Sequence, residues 1–249
     1  MNDSKDIETT FTALCEGRLD AEEWLAWFAE HQAELEQTLN RRRYLGIKPM
    51  SHCSANRNAA AAQADAQKYL AGLGIEVALS DIYEQAWERE FAAWCAEQRR
   101  EEKARQAAMK EAYGYVAGVY PKLFKALLKA TDVTIRPGAD EAEIARAEDG
   151  LGVALPEDIR RFFRLMGGLR LEGVMLDIAE LGLENFLGRD YVVLGEFWKY
   201  GDGDALLYDP AKAGIYVYAH GYPKVIREAA DMDAFAEKRL AAYVRGLGA

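Results

Sequence analysis

Apolar positions along the chain fall into two rhythms. Up to about residue 130 they recur at helical spacing. The segment "DAEEWLAWFAEHQAELEQTL" opens with Asp20 and carries Glu23 three residues on, a capping box, and Leu25, Phe28, Leu35 and Leu39 supply its apolar side. The alanine-rich "SANRNAAAAQADAQKYLAGLG" has strong helix propensity and closes on glycines. Ser80, with Glu84, opens a third helix whose Tyr83, Trp87, Phe91 and Trp94 share one stripe, expected to face a core. Beyond Glu97 this helix turns almost wholly polar, the pattern of a solvated face. A last helical piece, "YPKLFKALLKA", precedes a break.

From about Thr131 the rhythm shortens. "VTIRPGADEAEIARAEDGLG" predicts a brief extended run and then a helix capped by Asp140 with Glu143 in the reciprocal position. In "LGVALPEDIRRFFRLMGGL", residues 151–169, Pro156 suits the first helical position and Glu157 and Asp158 the positive end of the macrodipole. Ile159, Phe162, Phe163 and Met166 form one buried face, and Gly167 is placed to end the helix in the left-handed conformation. The runs "VMLDI", "YVVLGEFWKY", "DALLYDP" and "IYVYAHG" then read as strands, with linkers short enough for antiparallel hairpins. A final amphipathic helix starting near Asp231 is expected to bury Met232, Ala236, Leu240, Tyr243 and Leu247. The expected class is α+β: a helical region over 1–130, then over 131–249 an α+β domain with a mainly antiparallel sheet flanked by helices.

Charge narrows the partners. The 249 residues carry a net charge of −10, with 17 Lys+Arg against 20 Asp+Glu over 1–130 and 14 against 21 over 131–249. That balance repels phosphate backbones and favours a basic protein surface. No run approaches the roughly 18 apolar residues of a membrane span. "MNDSKDIETT" lacks an apolar core and a cleavage pattern, and three scattered cysteines make a poor disulfide framework. A cytoplasmic protein without nucleic-acid or membrane partners is the expectation.

Catalytic chemistry is hard to assemble from these residues. His31, His52 and His220 are the only histidines. His52 next to Cys53 lacks the further ligands a zinc site needs, and Cys15 and Cys95 lie in helical segments. "GDGDALLYD" offers Asp202, Asp204 and Asp209 without the register or terminal glutamate of an EF-hand, so it reads as a hairpin turn. No phosphate loop or nucleophile elbow occurs, and no catalytic residue, metal or cofactor is expected. Aromatic residues are the better candidates: Tyr216, Tyr218 and His220 share one strand face, and Trp198 and Tyr200 share another just before the acidic turn.

The order of these elements resembles the SUKH superfamily (Smi/Knr-like), which includes fungal cell-wall-synthesis regulators and many bacterial immunity proteins. The resemblance covers roughly residues 134–247. It rests on "ADEAEIARAEDGLGVALPEDIRRFFRLMGG", on the strand–turn–strand "FWKYGDGDALLYDP" and on the closing helix "ADMDAFAEKRLAAYV". Family members often have asparagine before the two glycines, where this chain has Met166. Glu148, Leu155, Pro156, Phe162, Gly167 and Gly168 match the signature as structural positions. The resemblance implies a non-enzymatic protein that neutralises a toxin, often a nuclease, by binding it. Trp198, Tyr200, Asp202, Asp204, Asp209, Tyr216 and Tyr218 are the residues expected to meet a basic toxin domain. The alternative is a scaffold or regulator working through its N-terminal helices.

Overall fold

A computed structural model describes residues 3–247; residues 1–2 and 248–249, at the ends of the two expected regions, lie outside the described residues. By packing, the chain divides into Met1–Glu101 and Glu102–Ala249.

The first unit is built from helices α1 (Asp3–Cys15), α2 (Ala21–Thr38), α3 (Arg41–Ile47), α4 (Ala55–Gly72) and the first part of α5 (Ile82–Tyr113). The Asp20–Glu23 capping box forms, with the Asp20 side chain accepting from the N-terminal amides of α2. Ala59, Ala62 and Ala66 are fully buried on one side of α4, which packs against α1 and α2. Small side chains there let the helix axes come close. Phe11, Trp24, Phe28 and Tyr44 fill the remaining core with ring contacts. Gln63 on α4 closes the end of α1. Its Nε2 donates to the carbonyls of Leu14 (3.0 Å), Cys15 (3.1 Å) and Ser80 (3.1 Å), satisfying acceptors that a helix terminus leaves open.

The second unit runs from the end of α5 through a 3-10 turn (Gly114–Gly118) and α6 (Pro121–Leu127) into the sheet-bearing part. Strand β1 (Thr134–Arg136), α7 (Glu141–Leu151) and α8 (Glu157–Leu165) come next. Seven further strands follow: β2 (Gly168–Leu171), β3 (Val174–Asp177), β4 (Gly182–Phe186), β5 (Arg189–Phe197), β6 (Ala205–Tyr208), β7 (Ile215–Ala219) and β8 (Lys224–Ala229). The chain closes on α9 (Met232–Ala234), a π turn (Phe235–Leu240) and α10 (Ala241–Leu247). The strands form one antiparallel sheet in the order β1-β2-β3-β5-β6-β7-β8, with β4 paired to β5. The α+β class and the antiparallel hairpins are as expected.

One sheet face is covered by helices. Val192 and Leu194 of β5, Leu206 of β6 and Ile215 and Val217 of β7 pack with Phe162 and Phe163 of α8, Phe235, Leu240 and Val244. Residues 102–130 belong to the same core. Val116, Tyr120, Leu123, Phe124 and Leu127 are buried in it. Tyr113 Oη donates to the Ile135 carbonyl (2.6 Å), Tyr115 Oη to that of Leu165 (3.0 Å) and Arg105 Nη2 to that of Leu128 (2.8 Å). The packing division therefore falls inside α5, upstream of the sequence break at residue 130.

Local differences from the sequence reading have plain causes. Helix α8 starts at Glu157, so Pro156 is its N-cap rather than its first turn, and the helix ends at Leu165 with Met166 extended. Gly167 does not adopt the left-handed conformation. Its small size is needed instead for close approach, because a Cβ there would lie 2.4 Å from the Pro137 carbonyl oxygen. Leu247 is exposed and Tyr243 half-buried, whereas Met232, Ala236 and Leu240 are buried as expected.

We expect a fragment of residues 102–249 to unfold cooperatively in urea, and a fragment of residues 131–249 to lack a cooperative transition. The shorter one loses five large buried side chains, and each such truncation typically costs about 2–5 kcal/mol. Circular dichroism melts of the two fragments provide the check.

Candidate functional site

The signature residues are structural in this fold. Glu148 near the end of α7 accepts the Leu155 amide (2.8 Å) and lies 3.6 Å from the Arg160 guanidinium, which fixes the loop between α7 and α8. Leu155 and Phe162 are buried in the helix-covered core. Gly167 passes against the Pro137 carbonyl, and a Cβ on Gly168 would come within 2.9 Å of the Asp177 carboxylate.

The acidic turn divides by exposure. Asp204 is 0 % exposed, and its carboxylate accepts three backbone amides: Tyr200 (2.7 Å), Gly201 (2.9 Å) and His220 (2.9 Å). Asp209 is also buried, accepting the amides of Ala211 (2.9 Å) and Lys212 (3.1 Å), with Arg189 Nη1 at 3.5 Å. Both carboxylates close loops from within, and Asp202 alone of the three is exposed. Tyr200 is 39 % exposed, with Lys199 Nζ 4.8 Å from its ring centre and its hydroxyl donating to Glu228 (2.7 Å). Partial burial raises the Tyr200 phenol above its usual range, and the Glu228 carboxylate adds to that against the opposing pull of Lys199. It therefore stays a neutral donor. Trp198 Nε1 donates to Glu196 (2.6 Å), leaving the indole half-buried.

Strand alternation puts aromatics on the sheet face turned away from the helices. Tyr216 and Tyr218 alternate with the core residues Ile215, Val217 and Ala219. Cross-strand register carries this face across the sheet, from Leu207 opposite Tyr216 to Val193 opposite Leu207, and through Tyr191 of β5 to Glu184 of β4. Tyr191 and Tyr216 have ring centres 6.1 Å apart, and Phe186 sits 4.7 Å from Tyr218 and 6.3 Å from Tyr191. Four rings thus form one cluster. Tyr191 is buried by the other three, which are half-buried. Exposed Tyr222 lies on the turn after β7. Sequence reasoning had paired Tyr216 with Tyr218 but missed Phe186 and Tyr191. Strand β4 goes unannounced because its two-residue turn to β5 uses Leu187 (φ 54°) and Gly188 (φ 81°), a type I′ geometry without the usual Asn-Gly or Asp-Gly.

The N-terminal stripe does not form a core. Tyr83 is buried, its hydroxyl donating to the Leu19 carbonyl, but Trp87 is half-buried and Phe91 and Trp94 are 51 % and 59 % exposed. Past Tyr83 the stripe is only partly covered, by Arg57 and the segment before α4, and its rings lie about 6 Å apart. Arg57 stacks over Trp87 at 4.5 Å, and His52, Cys53 and Glu90 flank the rings. His31 is stacked on Trp27 at 4.6 Å. Among the described residues no group of three or more His, Cys, Asp or Glu side chains is placed to hold a metal ion, and no helix is long and apolar enough to cross a membrane.

Two outcomes test these assignments. Asp204→Ala leaves three backbone amides without their acceptor and is expected to cost roughly 2–4 kcal/mol in urea unfolding, while Asp202→Asn stays within about 0.5 kcal/mol of the parent. Burial, reinforced by Glu16, pushes the Cys15 thiol up to about 11, so at pH 8 almost none of it is thiolate. Maleimide labelling of the native chain at that pH is expected to reach Cys53 and Cys95 and to spare Cys15 until the chain is unfolded.

Comparison with known proteins agrees with this geometry in one region. No curated protein and no solved structure matches the chain. Residues 138–238 match the model of the SMI1 / KNR4 family (SUKH-1), a span from the loop before α7 through β8 into the closing helical segment. Over those residues the chain is similar to the SMI1 / KNR4 family (SUKH-1).

Proposed function

We propose that this chain is a non-enzymatic cytoplasmic binding protein whose C-terminal domain neutralises a basic toxin domain by direct contact. The observation that carries the reading is the ring cluster of Phe186, Tyr191, Tyr216 and Tyr218 on the helix-free face of the sheet. Half-exposed tyrosines on rigid strands lose little side-chain entropy on binding and are favoured anchors at interfaces. Tyr200, Tyr222 and Asp202 extend the exposed polar and aromatic surface of this domain. The net charge of −10 speeds encounter with a basic partner and disfavours nucleic acid. Asp204 and Asp209 enter only as braces of the loops that carry this surface.

A second reading is a scaffold working through the N-terminal unit, supported by the outward stripe of Trp87, Phe91 and Trp94. Affinity capture from the source cell separates the two. The full chain, a Tyr216→Ala/Tyr218→Ala variant and a Phe91→Ala/Trp94→Ala variant serve as baits. The immunity reading predicts a stoichiometric partner that is toxic when expressed alone and harmless when co-expressed with the chain. Loss of both tyrosines is expected to weaken its capture at least about tenfold, with a cooperative melt showing that the variant is still folded. A non-toxic partner lost only with Phe91 and Trp94 contradicts it and supports the scaffold.

A further inference from the structure

Against the acidic balance of the chain, one groove of the second unit is basic. Helices α6 and α10 pack together, and a cavity of about 500 Å3 opens between them, lined by Lys122, Lys125, Lys129, Val244 and Arg245. Lys122 and Lys125 are one turn apart on α6, and Lys129 follows on the turn that closes the helix, so the three line the same side of the cavity. Arg245 stands on the opposite wall, its Nε donating to the Ala241 carbonyl (3.2 Å). None of the four has an ion pair among the described residues. The Glu237 carboxylate is engaged by the amides of Lys122 (3.0 Å) and Leu123 (3.2 Å) at the start of α6. Four exposed cations around one cavity raise the local positive potential, which attracts an anion.

The shape and spacing select the anion. A compact phosphate group is only a few ångströms across, whereas these cations run from the first turn of α6 to the turn beyond its end. The cavity lining is more apolar than polar, with Val244 at the α10 side and the aliphatic parts of long cationic side chains available to cover it. A membrane surface is flat, and a recessed floor offers it no protruding apolar anchor. An α-helix with acidic residues at i, i+3 or i+4, and i+7 repeats the lysine spacing, and its apolar side fits the floor. We propose that the α6–α10 groove docks an acidic amphipathic helix of a partner protein. The wall lysines pair with its carboxylates, and the groove floor takes its apolar side chains. This surface is separate from the aromatic sheet face and does not depend on the function proposed for that face.

Fluorescence anisotropy of the full chain tests this with a fluorescein-labelled helical peptide made of Glu and Leu in that spacing. Inorganic polyphosphate and vesicles of phosphatidylglycerol and phosphatidylcholine run in parallel. The expected result is saturable peptide binding that weakens as salt rises, and that falls about tenfold or more in Lys122→Glu/Lys125→Glu/Lys129→Glu. The neutral Lys122→Gln/Lys125→Gln/Lys129→Gln variant is expected to show a smaller loss, which guards against misfolding of the charge-reversed chain. No peptide binding, or equal binding by the parent and both variants, overturns the proposal. Tighter lysine-dependent binding of polyphosphate or vesicles also overturns it and reassigns the groove to phosphate or lipid.

Discussion

The second unit depends on one crossing of backbones that has no room for a side chain. A Cβ on Gly138 would lie 1.9 Å from the Arg164 carbonyl oxygen, and one on Gly167 would lie 2.4 Å from that of Pro137. At this crossing the Ala139 amide donates to the Phe163 carbonyl (2.8 Å), and the Ile178 amide donates to that of Gly167 (3.0 Å). The Arg136 guanidinium ties the rim, reaching the Gly167 carbonyl (3.0 Å), Glu143 (2.9 Å) and Asp177 (3.1 Å). Strands β1, β2 and β3 and helices α7 and α8 are thereby fixed around a single point. Any side chain larger than hydrogen at Gly138 or Gly167 must push two of these elements apart.

This crossing gives the most recognisable stretch of sequence a role in packing. Glu148, Leu155, Phe162, Gly167 and Gly168 set loop and strand positions that make the domain recognisable. The surface proposed to meet a partner lies on the helix-free sheet face, away from the crossing. On that proposal, fold and specificity are held by different residues.

Helix positions were legible because their signals are local. The capping boxes at Asp20 and Asp140 and the N-cap at Asp231 form as their spacing implies. Strands announced by alternation, such as Ile215–Ala219, were equally plain. Three others were not. Strand β2 begins on a glycine that reads as a helix stop, and β4 hides behind a turn built on Leu187. Strand β8 carries Glu228, a buried carboxylate whose partners, Lys199, Tyr200 and Arg239, are remote in sequence. Burial of a polar residue depends on such long-range partners, which periodicity does not register. For the same reason Asp204 and Asp209 looked like surface charge, while Phe91 and Trp94 looked like core.

Oxidative footprinting of aromatic side chains, with the captured partner bound and absent, tests the central claim most directly. The account predicts that Phe186, Tyr216 and Tyr218 become protected in the complex while Phe91 and Trp94 react as in the free chain. Protection confined to Phe91 and Trp94, with the sheet-face rings unchanged, would contradict it.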